Sequence, residues 1–303
     1  MTNHAAGQVS RRRFLAHVAG TATALAAGRR LADAAPQRGR PRVVDVHQHV
    51  RLRPGSLGET LASPEIELKS RLATMDSIGI DQAVVIPGHD YLRPAGLADT
   101  RAVNNAIAAY RDANRMRFPA AMGIVEPLYG DASLAELDRI KSELGLAGVS
   151  FDARYHGVKT DSPLMHRLIA RMGKLGLVPY LHAVAEISAE ALWRATALAR
   201  DFAGTPMLLL DPFSSYEQLE QVSFLADLAP NLLFDTGQAL NFDRIRSFIR
   251  RFGAERVVFG SDLYSVPTGI QPHLLHAIRE ADLGDAERSQ ILSGNIMKLL
   301  RIS

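Results

Sequence analysis

Apolar runs of strand length recur eight times between Arg42 and Asp262, helix-period segments separate them, and the runs close on or near His, Asp or Glu. Together these observations predict an α/β fold, a single-domain (β/α)8 barrel whose polar strand ends gather at one mouth. A length of 303 residues suits either two ordinary domains or one such barrel, and no break in composition marks a second domain.

The first run, Arg42–Val50, places Asp45, His47 and His49 two residues apart and so on one side, with Val44, Val46 and Val50 packing. Apolar spacing at i, i+3, i+4 then predicts a helix over Ile66–Ile78, stopped by Gly79. Gln82–Pro87 is followed by the helix Thr100–Arg115, and Ala120–Glu126 by Leu134–Leu144 with the stop Gly145. Gly148–Asp152 leads to Pro163–Leu175 and Gly176, and Val178–His182 to Ala189–Ala203. Met207–Asp211 pairs with Tyr216–Leu228, and Leu232–Thr236 with Phe242–Phe252 and Gly253. Val257–Asp262 is the last strand, before helices over Ile270–Ala281 and Ala286–Leu300. A doubly wound open sheet would need a Gly-rich phosphate loop after its first strand, and that loop is missing. Trp193 reads as outer-layer core, and His166, His273 and His276 as surface or packing residues of helices.

Hydrophobic residues make up 47% and charged residues 22%, which supplies a sizeable core and excludes a disordered chain. Cysteine is absent, so disulfides, thiolate zinc sites and cysteine nucleophiles are excluded, and any metal must use His, Asp or Glu. The net charge of +3 is concentrated in residues 1–34, where five arginines face only Asp33, and the remainder is close to neutral. With no basic run interleaved with aromatics in that remainder, no nucleic-acid partner is expected.

Ser10-Arg11-Arg12-Arg13-Phe14-Leu15, the weakly apolar stretch Ala16–Gly28 and the small-residue end Ala32-Asp33-Ala34 resemble a twin-arginine signal peptide. The expected organisation is a signal over 1–34, a short linker over 35–41 and the barrel over 42–303. The apolar stretch is too short for the ~30 Å hydrocarbon core, so no stable membrane anchor is expected. The resemblance implies twin-arginine export machinery as the precursor's partner and a periplasmic location. A basic, Ala-rich leader of a cytosolic protein is the alternative.

His47 and His49 converge on the predicted mouth, and imidazole with carboxylate suits Zn²⁺ and related divalent ions. A His-x-His pair alone also fits a solvent-facing pair on an edge strand. His182, ending the fifth strand, and Asp262, ending the eighth, bring four candidate metal ligands to one mouth.

Several motifs carry a resemblance that runs from Arg42 to the C-terminus. They are Val44-Asp45-Val46-His47-Gln48-His49, Gly79-Ile80-Asp81-Gln82-Ala83-Val84-Val85, and Ala113-Asn114-Arg115 with Phe118-Pro119. Gly176-Leu177-Val178-Pro179-Tyr180-Leu181-His182, Phe259-Gly260-Ser261-Asp262 and the closing Ile291–Leu300 complete them. The chain resembles the amidohydrolase superfamily, in its amidohydrolase-related branch of hydrolases, lactonases and decarboxylases. The resemblance implies one divalent ion, Zn²⁺ first with Mn²⁺ or Fe²⁺ as alternatives, on His47, His49, His182 and Asp262. Such an ion lowers the pKa of bound water from 15.7 to about 7, and Asp262 would take that water's proton and later protonate the leaving group. The fourth strand run has no lysine, so the carbamylated bridge of two-metal members is not expected.

In one respect the chain departs from the family. Where the sixth strand usually ends in histidine, this chain has Asp211. A charged carboxylate can serve as base but not as donor unless its pKa is strongly raised, which weighs against histidine-dependent decarboxylation. Asp211 and Asp262 are the candidate catalytic residues. His89, His156, Arg51 and Arg154 are candidate substrate-binding residues on the mouth loops, although loop arginines are often simply solvated; Arg53 and Arg93 share that position. Asp45 reads as a hydrogen-bond partner behind the ligands, and Asp152 and Asp235 as mouth residues or helix caps.

The expected function is metal-dependent hydrolysis of an ester, lactone or amide in a small polar or carboxylated substrate. A nonoxidative decarboxylase of an aromatic or enoic acid is the alternative, and a metal- or ligand-binding barrel without turnover is the third reading. A homo-oligomer is left open.

Overall fold

The computed structural model describes residues 40–54, 61–184, 187–239, 241–264 and 272–303. The signal read at 1–34 and most of the linker lie outside them. The barrel unit runs from Pro41 to Ser303.

Its strands are β1 (Val44–Val50), β2 (Gln82–Pro87), β3 (Ala120–Gly123), β4 (Gly148–Phe151), β5 (Val178–His182), β6 (Met207–Leu210), β7 (Leu232–Asp235) and β8 (Val257–Val258). They are parallel and neighbours in chain order. The ends of this sheet meet: Val46 donates its backbone N–H to Phe259 O at 3.0 Å, and His49 to Leu263 O at 2.8 Å. The fold is therefore a (β/α)8 TIM barrel, as the alternation of strand and helix periods requires.

Parallel neighbours need crossovers, and helices supply them. These are α1 (Pro64–Ile78), α2 (Leu97–Ala113), α3 (Asp131–Ser142), α4 (Ala153–His156), α5 (Pro163–Leu175), α6 (Leu192–Asp201), α7 (Tyr216–Leu225), α8 (Phe242–Phe252) and α9 (Pro272–Glu280). A last helical segment runs through α10 (Asp285–Ser289), a π turn at Gln290–Gly294 and α11 (Asn295–Leu300). The punctuation is local chemistry. Ser63 and Ser162 cap α1 and α5 ahead of a proline, and Gly79 and Gly176 end the same helices at φ 79° and 66°.

Strand alternation builds two cores. Val44, Val46, Val84, Ile86, Tyr180, Leu208 and Leu210 fill the barrel interior with Ile296 of α11. Ala83, Val85, Leu181 and Leu209 turn outward to the helices. The eighth strand is shorter than its apolar run because the chain leaves the ladder after Val258 and reaches Asp262 in a left-handed turn, φ 54°.

One expectation is corrected here. Trp193 is not outer-layer core but 49% exposed, with the Arg194 guanidinium 4.1 Å above its ring. Leu192, Ala195 and Thr196 take the buried stripe of α6, and Trp193 lies about 100° round the helix from Leu192. Among the described residues no helix is long and apolar enough to cross a membrane.

Candidate metal centre

Period-two alternation would put His47 outside the barrel, because Val44 and Val46 point inward. The pairing of β1 with β2 slips between Asp45 and Gln48: Asp45 faces Ala83, yet Gln48 faces Val85. One extra residue on β1 re-aims everything beyond it. His47 and His49 thereby turn into the mouth. Asp45, expected on their side, is corrected: its carboxylate meets Gln48 Nε2 at 2.8 Å, and Gln48 Oε1 accepts from Arg71 of α1 at 2.9 Å.

The histidine Nε2 atoms converge. His47 and His49 stand 3.0 Å apart and His49 and His182 3.3 Å. Asp262 Oδ1 is 3.2 Å from His47 Nε2 and 3.6 Å from His49 Nε2. Ligands at ~2.0–2.1 Å from one tetrahedral ion stand roughly 3.4 Å from each other, so the spacing fits.

The protonation pattern fits as well. His182 Nδ1 is 2.9 Å from Phe151 O and His49 Nδ1 3.4 Å from Pro87 O. Carbonyls only accept, so each Nδ1 carries the proton and each Nε2 presents its lone pair. His47 Nδ1 lies 2.8 Å from Asp235 Oδ2, which assigns it likewise. Burial holds all three imidazoles below their ordinary pKa, hence neutral. Lone pairs this close repel unless a cation lies among them. Asp262 Oδ1 and both oxygens of Asp211 are buried without a hydrogen-bond partner among the described residues. His47, His49 and His182 thus form a cluster able to hold one divalent ion, with Asp262 Oδ1 beside it, and His47, Asp211 and Asp235 bring a second such group together.

Asp235 orients this set. Its Oδ1 accepts the backbone N–H groups of Asp211 at 2.8 Å and Gly237 at 3.1 Å, leaving Oδ2 for His47. A Cβ on Gly237 would stand 2.5 Å from Asp211 Oδ1 and 2.9 Å from both Asp235 Oδ2 and His47 Nδ1. Glycine at 237 is thus a packing requirement. Asp45 steadies the far strand by accepting from Ser261 N at 3.0 Å and Ser261 Oγ at 2.5 Å.

Three carboxyls share this enclosed space. Burial and the charge of Asp235 push Asp262 up to about 8, and burial pushes Asp235 up to about 7. Asp211 is 1% exposed, and burial followed by the charges of Asp262 and Asp235 raises it well above the carboxylate range. It reaches its place through a left-handed backbone, φ 62°, with Oδ1 3.7 Å from His47 Nδ1. Such a conformation costs a non-glycine residue roughly 1–2 kcal/mol.

The other predicted residues are arranged around this core. The His89 ring stands 5.2 Å from that of His182 and 6.0 Å from that of His49. Its Nε2 meets Ser150 Oγ at 3.1 Å and its Nδ1 meets His156 Nε2 at 3.3 Å. Arg154 is turned to Asp152, with NH2 2.7 Å from Oδ2, and Asp152 also caps α4. Arg51 lies 3.5 Å from Asp90 and 5.8 Å over the Tyr264 ring. Arg53 meets Asp99 at 3.0 Å and Arg93 meets Glu126 at 2.5 Å.

Two contributors escape sequence reasoning. Tyr264 stacks on His49 with centroids 4.6 Å apart, and Gln238 donates from Nε2 to Asp262 Oδ2 at 2.9 Å. Neither residue type signals a metal site, although the position of Tyr264 two residues beyond Asp262 was a local cue.

Solved structures share the fold. The 5-carboxyvanillate decarboxylase from Sphingomonas paucimobilis is 17% identical over 87% of this chain and 100% of its own, with a TM-score of 0.66. A dihydroxybenzoic acid decarboxylase from Polaromonas sp. JS666, with bound manganese, is 16% identical over 86% and 97%, with a TM-score of 0.62. The 4-oxalomesaconate hydratase from Rhodopseudomonas palustris is 16% identical over 86% and 95%, with a TM-score of 0.65. No curated protein matches the sequence. The amidohydrolase family profile matches residues 44–302, from the first barrel strand to the last helix, and the chain belongs to that family.

Proposed function

We propose that the chain is a metal-dependent, nonoxidative decarboxylase of a small aromatic or enoic carboxylic acid. The observation that carries this reading is Asp211, an acid enclosed beside the ligand cluster with both oxygens unpartnered among the described residues. A charged aspartate at this place argues against decarboxylation, but burial and the neighbouring carboxylates favour the protonated form of this one. Decarboxylases of the same fold support the choice, and manganese in some of them makes Mn²⁺ at least as good a candidate as Zn²⁺.

In this reaction the bond from carbon to the carboxyl group breaks, carbon dioxide leaves, and the electron pair left on carbon takes a proton. Asp211 delivers that proton and regains one from water. A divalent ion held by His47, His49, His182 and Asp262 would act as a Lewis acid toward the substrate's oxygens. Asp235 keeps His47 in the ligating tautomer. His89, backed by His156 and Ser150, forms the wall nearest His182, with Arg51 and Arg154 farther out as the substrate's charged surroundings.

Hydrolysis of an ester, lactone or amide is the second reading, favoured by the family description and by Asp262 standing beside the imidazoles as a base. The two separate on product. With Mn²⁺-loaded protein and a panel of hydroxybenzoates, enoic acids, lactones and esters, carbon dioxide release is expected; acid release without gas overturns the proposal. Export to the periplasm belongs to the same proposal, with N-terminal sequencing of the mature protein expected to begin near Ala35.

A further inference from the structure

Among the described residues, four that are not glycine have positive φ: Asp211 at 62°, Gln238 at 50°, Asp262 at 54° and Arg301 at 54°. Arg301 ends the last helix, where such a conformation is ordinary. The other three follow β6, β7 and β8 in succession and stand at the mouth. Asp211 and Asp262 already have reasons to be there. Gln238 has none in the chemistry described so far, and glycine or asparagine would adopt its backbone with less strain.

We propose that Gln238 is a positioning residue of the metal centre, its amide deciding which oxygen of Asp262 faces the imidazoles. Only the amide nitrogen can donate to a carboxylate, and Nε2 lies 2.9 Å from Asp262 Oδ2. That contact occupies Oδ2. Oδ1 is left 3.2 Å from His47 Nε2 and 3.6 Å from His49 Nε2, the one oxygen of Asp262 without a hydrogen-bond partner among the described residues. Without the amide, the carboxylate is free to rotate away from the imidazoles. Gln238 therefore holds Oδ1 toward the imidazole nitrogens that would share an ion with it. The strained backbone aims the side chain there, and function retains what folding alone would discard.

This inference rests on the metal centre proposed above, but not on the reaction assigned to it. The test compares full-length, metal-stripped wild type with Gln238→Gly and Gln238→Ala, reading Mn²⁺ affinity by titration calorimetry and the Tm of each apoprotein. Both variants are expected to bind Mn²⁺ about 10- to 100-fold more weakly, the range for losing a group that orients a ligand. The Gln238→Gly apoprotein should melt above the Gln238→Ala apoprotein, because both lose the amide and only glycine relieves the left-handed backbone. A purely structural glutamine would lower Tm in both variants and leave affinity unchanged. Wild-type Mn²⁺ affinity in either variant overturns the inference. A wild type that takes up neither Mn²⁺ nor Zn²⁺ instead removes the metal centre, and this role with it.

Discussion

Asp235 and His47, 188 residues apart in sequence, meet at 2.8 Å with both side chains wholly buried. Because the other oxygen of Asp235 accepts two backbone N–H groups, the carboxylate faces three donors and has no freedom to turn.

Asp235→Asn cannot satisfy all three, since its amide presents a donor either to His47 or to the backbone pair. Mn²⁺ affinity should fall about 10- to 100-fold. Folding stability should fall by about 1–3 kcal/mol for the unpaired groups. Calorimetric titration and denaturant unfolding read the two effects separately.

Removing metal should destabilise the fold. An ion that binds only the folded state adds about 2.7 kcal/mol at a hundredfold excess over Kd. For a chain of this size that corresponds to roughly 4–5 °C in Tm. Scanning calorimetry with chelator and then with Mn²⁺ checks this, and identical melting curves would sink the metal centre.

Asp211→Asn keeps the shape of the side chain but has no carboxylic proton to give. The expected result is a kcat lowered about 10²- to 10⁴-fold with Mn²⁺ still bound. Loss of the metal along with turnover would show that Asp211 serves the ligand set instead.

Glu190 gives a prediction about pH. It is fully buried and shares a hydrogen bond with Asp152, and burial with that partner pushes its carboxyl up to about 9. A group raised above its unfolded value of 4.5 contributes stability fully below that value and loses it as pH rises toward the folded pKa. This contribution should therefore decline between about pH 5 and pH 9, and Glu190→Gln should remove it, leaving a pH profile that falls less steeply than that of wild type. Denaturant midpoints at four or five pH values would decide it; parallel slopes in the two proteins count against the assignment.

Gly237→Ala inserts a methyl group where three ligand-bearing or orienting atoms already stand under 3.0 Å away. Overpacking of this kind costs typically about 1–3 kcal/mol. Here the displaced atoms belong to Asp211, Asp235 and His47, so Mn²⁺ binding should weaken with stability. A variant with unchanged binding would mean that the turn relaxes away from the cluster.

Much of the barrel is legible in the sequence because its signals are periodic. Gln82–Pro87, Val178–His182, Pro163–Leu175 and Phe242–Phe252 have the same limits by pattern and by structure. His182 follows plain alternation after Val178 and Tyr180, and so lands in the mouth with them pointing inward. His47 does not. Alternation alone cannot announce an inserted residue, so the bulge in β1 stayed hidden and Asp45 was expected beside the histidines. Asp211, Gln238 and Asp262 are aimed by left-handed φ values, which ordinary side chains seldom advertise. Trp193 shows the opposite failure, a residue whose spacing suits the buried stripe but whose angular position falls beside it.

The seam between β1 and β8 has a consequence for biosynthesis. Two imidazoles belong to the first strand and the carboxylate to the segment after the last, and backbone bonds from Val46 to Phe259 and from His49 to Leu263 stitch the two together. A nascent polypeptide released only as far as the seventh strand owns three nitrogen donors but no closed cylinder in which to fix them. Capture of a cation by the complete set would then wait until the final sixth of the chain has emerged from the ribosome, which would make loading a late event rather than a seed for folding.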